Sequence, residues 1–155
     1  MFHQLIFIIL LCAVIIITTH SDVRLFYHLF YKHDYLEWSA DKMNDDSGLQ
    51  YIKGSSFFKM IYTIAFGVCI FGIILIHFAL FWLSKSFDIF MLTHVAATSL
   101  LLTILGNFIT LFTYPIPGVT EVQLEKPKIL LDVMVTCANY CCLLYMAIQV
   151  VKWCF

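Results

Sequence analysis

Four long apolar blocks, residues 5–19, 57–83, 87–114 and 129–153, leave this chain few ways to fold. A helix on the surface of a soluble domain is apolar along one stripe only, whereas these blocks are apolar all round and need an apolar surrounding on every side. Lipid is that surrounding. With 62 % hydrophobic and 12 % charged residues, and a mean hydropathy of +0.92, the 155-residue chain has too few charges to coat a globule. A net charge of −1 and the lack of any basic cluster remove the electrostatic footprint of a nucleic-acid binder.

The first block, Leu5 to Thr19, is about 22 Å long as a helix, against a hydrocarbon core of roughly 30 Å. Two readings follow. Small residues around Thr19-His20-Ser21 allow a cleaved signal peptide, although "MFHQ" lacks a positive n-region. If the block is retained, the helix runs on through "DVRLFYHLFY" to about residue 31, with its aromatic residues at the membrane interface. The second and third blocks are long enough to cross with some tilt. Only Ser84, Lys85 and Ser86 separate them, which makes a helical hairpin with Trp82 and Lys85 at the water boundary. Pro115, Pro117 and Gly118 stop the third helix. The expected fold is all-α: one domain over residues 1–155, an integral membrane four-helix antiparallel bundle. Its helices lie near 5–31, 57–83, 87–114 and 129–153, and its loops are 32–56 and 115–128. "LQYIKG" in the first loop is able to form a short strand, and "VTEVQLEK" in the second is left as neither strand nor coil.

Within the third block Ala96, Ser99, Thr103, Gly106, Thr110 and Thr113 recur at intervals of three and four. Lipid tails are as apolar as leucine, so helices in a bilayer associate through close backbone approach and hydrogen bonds, and small residues permit both. The stripe follows the repeat of a left-handed seam and is read as the packing face of the third helix. A pore lining would want ionisable rings, and the stripe has none. In the fourth block Asp132, Thr136 and Asn139 fall within about 60° of one another on a helix. Asp132, one turn inside the membrane edge, is expected to reach headgroups or water. Asn139 lies deeper and needs a partner, with Thr103, Asn107 and Thr110 as candidates.

His77 and His94 fall at a similar depth, roughly 12 Å from the turn between the second and third helices. A bis-imidazole haem or a proton-relay pair is conceivable there. Neither histidine has a sequence partner to orient it, so both are read as helix-packing residues and no cofactor is expected. The six cysteines lie in or beside the apolar blocks and none lies in the loops, which argues against the disulfide-stapled ectodomains of tetraspanins and typical claudins. No C-x-x-C, Gly-rich phosphate loop, H-E-x-x-H or G-x-S-x-G occurs, so no metal site, catalytic residue or enzyme activity is assigned. Cys154, at the membrane boundary, is a weak palmitoylation candidate.

Arg24, Lys32, Lys42, Lys53, Lys126 and Lys128 lie on the side of the two longer loops, against Lys85 and Lys152 on the other. The positive-inside rule then makes those loops cytoplasmic.

The layout of short termini, a long first loop, a tiny turn between the second and third helices and a short loop before the fourth resembles the small four-pass proteins of the MARVEL and claudin-like type. Within them it is most similar to the snakeskin-like proteins of the insect septate junction. "SFDIFMLTHVAA", with an acidic residue opening the third helix, and "NYCCLLYMAIQVVKW", closing the fourth, are the local echoes. The claudin Gly-Leu-Trp signature is replaced by Gly48-Leu49-Gln50. The resemblance implies both termini in the cytoplasm, opposite to the charge count, and both orientations stay open. It also implies a non-enzymatic organiser of a junction or membrane domain. Such a protein would associate laterally with other membrane proteins or with copies of itself, and use Tyr35, Trp38 and Tyr51 as loop contacts. The alternatives are a transport or energy-coupling subunit using Asp132, Asn139, His77 and His94, and an accessory subunit of a large organellar membrane complex.

Overall fold

The computed structural model describes residues 2–31, 56–113 and 126–154. Apart from Asp88 and Ile89, every described residue is helical, and no strand occurs among them. The elements are α1 (Phe2–Tyr31), α2 (Ser56–Ser84), a single 3-10 turn (Lys85–Phe87), α3 (Phe90–Thr113) and α4 (Lys126–Cys154). All four α-helices are long and apolar enough to cross a membrane. The loop segment "LQYIKG", all of "VTEVQLEK" but its final Lys126, and the loop aromatics Tyr35, Trp38 and Tyr51 lie outside the described residues.

Helix ends differ from the sequence expectation for local reasons. α1 begins at Phe2 instead of residue 5 and continues without a break past Thr19 to Tyr31. α4 begins at Lys126, three residues before its apolar block. Pro127 then sits in the first turn, where its missing N–H removes no helical hydrogen bond. α3 is helical to Thr113, the last residue described before the prolines.

The connection of α2 to α3 also differs from a bare three-residue turn. Ser84 Oγ donates to the Phe81 carbonyl and Ser86 Oγ to the Leu83 carbonyl, each at 2.7 Å, which satisfies carbonyls that the ending helix leaves open. Asp88 follows with φ 53° and ψ 23°, a left-handed conformation that Asp tolerates better than most side chains. Helix α3 therefore starts at Phe90 rather than Phe87, and the acidic residue expected to open it stands just outside it.

Phe87 is drawn inward by its neighbours. Its ring meets Phe7 of α1 edge-on at a centroid distance of 5.1 Å and Trp153 of α4 at 5.0 Å. Beside them Gln4 Nε2 donates to the Ser86 carbonyl at 2.9 Å. The start of α1, the α2–α3 connection and the end of α4 thus meet at one end of the molecule. Lys85 lies outside this cluster, its Nζ 4.8 Å from the ring centroids of both Phe81 and Trp82.

The interior is a mixed column drawn from all four helices. Phe7, Leu11 and Val14 of α1 recur at intervals of four and three and share one face. They pack with Leu80 of α2, Phe87, Leu92 and Ala96 of the hairpin, and Leu143, Met146 and Val150 of α4. The outside is equally apolar: Ile9, Ile17, Ile64, Phe71, Leu101, Phe108, Met134 and Ile148 are all exposed. Burial of apolar surface from water does not account for this distribution, because large apolar side chains occupy both sides of every helix.

Candidate functional site

The most densely polar contact among the described residues lies between α3 and α4. On α3 Leu92, Ala96, Ser99 and Thr103 are buried, spaced four, three and four residues apart, so one narrow face turns inward. Small side chains on that face let α4 approach. A Cβ placed on Gly106 would lie 3.4 Å from Val135 Cγ1, so the α4 side chain rests almost directly on the α3 backbone at that turn.

Close approach brings the polar groups into register. Ser99 Oγ donates to Asn139 Oδ1 at 2.6 Å, and Asn139 Nδ2 donates to Thr103 Oγ1 at 3.2 Å. The carboxamide thereby uses its acceptor and one donor on two hydroxyls one helical turn apart. Of the partners expected for Asn139, Thr103 is met; its other partner, Ser99, is not among those expected. Thr110 is not a partner, because its hydroxyl turns back to the Gly106 carbonyl of its own helix at 2.8 Å. The side chain of Thr113 lies outside the described residues.

Asp132, expected to reach headgroups or water, is instead buried at 8 % exposure and has interaction partners. Thr136, between it and Asn139 along the helix, is half-buried. The next residue, Tyr140, reaches a different helix: its hydroxyl is 3.1 Å from Thr19 Oγ1 of α1. Asn139 and Tyr140 thus tie α4 to both α3 and α1 at neighbouring positions. The sequence places both in the middle of an apolar block, which marks them as unusual. It does not tell which helix each one meets, since that depends on register across connections that carry no such information.

The two histidines part company. His77 is buried, with Nδ1 donating to the Ile73 carbonyl at 3.0 Å and Nε2 enclosed without a partner. Because Ile73 supplies a carbonyl, Nδ1 must carry the proton in the neutral ring, and Nε2 presents a lone pair. His94 is exposed, its Nδ1 bonded to the Phe90 carbonyl of its own helix at 2.9 Å and its ring 3.9 Å from that of Phe90. It is therefore no packing residue of the interior, and the paired-imidazole arrangement is not formed. Among the described residues no group of three or more His, Cys, Asp or Glu side chains could hold a metal ion. All six cysteines are free thiols; Cys141 is exposed and Cys142 half-buried, as expected for neighbours on different faces of a helix.

What this arrangement does chemically is hold helices together. The Ser99 and Thr103 hydroxyls, the Asn139 carboxamide and the Tyr140 phenol each meet a partner on another helix. No family model, curated protein or solved structure matches the chain.

Proposed function

We propose that the chain is a non-enzymatic multi-pass membrane protein, a four-helix antiparallel bundle in lipid that associates laterally with other membrane proteins or with its own copies. Organisation of a junction or membrane domain is the role that fits such a protein. One observation carries the reading. From Ser56 to Ile76, α2 contributes no buried side chain, while Phe57, Met60, Ile64, Val68 and Phe71 are exposed along it. Gly67 and Gly72 lie in this stretch with nothing within 4 Å of the position a Cβ would take. Lys59, Tyr62, Phe66, Ile70 and Ile74 are half-buried along one face of this stretch, and the exposed remainder, with its glycines, offers another transmembrane helix close backbone contact.

The test uses Gly67→Leu and Gly72→Leu, which fill open space and leave the interior untouched. Differently tagged copies and their membrane neighbours are extracted directly into lipid nanodiscs, and the size of the particles is compared. The proposal expects smaller particles with unchanged thermal stability. Particles of unaltered size, or wild-type particles holding a single chain, defeat it.

The burial of Asp132 favours a second reading, an ion- or proton-coupled subunit in which this carboxylate lies on the path. Asp132→Asn separates the two: proton or ion flux in proteoliposomes collapses under the second reading, whereas a lateral organiser has no flux to lose.

A further inference from the structure

We draw no further inference here: the strongest candidate, the enclosed and unpartnered Nε2 of His77 on the inner face of α2, belongs to no group of three or more His, Cys, Asp or Glu side chains able to hold a metal ion among the described residues, and nothing in the structure shows what that nitrogen would bind.

Discussion

Ser99 and Asn139, forty residues apart in sequence, are joined by a 2.6 Å hydrogen bond from the serine hydroxyl to the carboxamide oxygen. With the Thr103 hydroxyl on the other end of the same carboxamide, one α4 side chain spans a full turn of α3. Asn139→Ala removes both bonds and leaves two hydroxyls facing an apolar gap. The expected loss is about 1–2 kcal/mol, measured by reversible unfolding in mixed lipid–detergent micelles. A double-mutant cycle with Ser99→Ala returns a coupling of about 0.6 kcal/mol. Strict additivity of the two substitutions means the bond contributes nothing.

Phe7 is fully buried and lies edge-on against Phe87, so ring packing joins α1 to the hairpin beside the Gln4–Ser86 hydrogen bond. Phe7→Ala opens a cavity that lipid does not fill. The expected cost is about 2–3 kcal/mol, below the 3–5 kcal/mol or so of a water-soluble core, because the unfolded reference state within the membrane is also surrounded by hydrocarbon. Tyr140→Phe, which removes only the hydroxyl meeting Thr19, costs about 0.6 kcal/mol. Equal effects from the two variants would show that α1 is not held by packing.

His77→Leu has the opposite sign. The imidazole's Nδ1 bond closes within its own helix, and Nε2 is enclosed with its lone pair unsatisfied. An unmet polar atom in an apolar interior costs about 1–3 kcal/mol, so an apolar side chain of similar size is expected to raise stability or leave it unchanged. A marked destabilisation by leucine, restored by glutamine, would mean that the nitrogen is engaged in the membrane.

Asp88 adopts φ 53° between the 3-10 turn and α3. Asp88→Gly relaxes that residue and is expected to be neutral or stabilising by up to about 1 kcal/mol. Asp88→Val, β-branched at the same φ, costs about 1–2 kcal/mol. Thermal unfolding of the two variants side by side provides the check. A valine variant as stable as the glycine one rules out the left-handed conformation.

The number of helices, their lengths and their apolar character are legible in the chain, because a segment that crosses hydrocarbon must be long, apolar and self-satisfied in its backbone hydrogen bonds. The small and hydroxyl stripe on α3 is equally visible, since its residues recur at intervals of three and four through an otherwise largely apolar block. The positive-charge count is less complete: Lys59, in the first turn of α2, belongs with the cations on the side of the longer loops.

Tertiary structure alone decided which partner each polar group meets. It selected Ser99 over Thr110 for Asn139, sent Tyr140 to α1, enclosed His77 while leaving His94 outside, and drew Phe87 out of α3 to lie between Phe7 and Trp153. The physical reason is that hydropathy distinguishes inside from outside only where the outside is water. In an apolar surrounding leucine is equally at home on either face, and the choice passes to backbone approach, hydrogen bonds and ring geometry, which exist only once the helices have met.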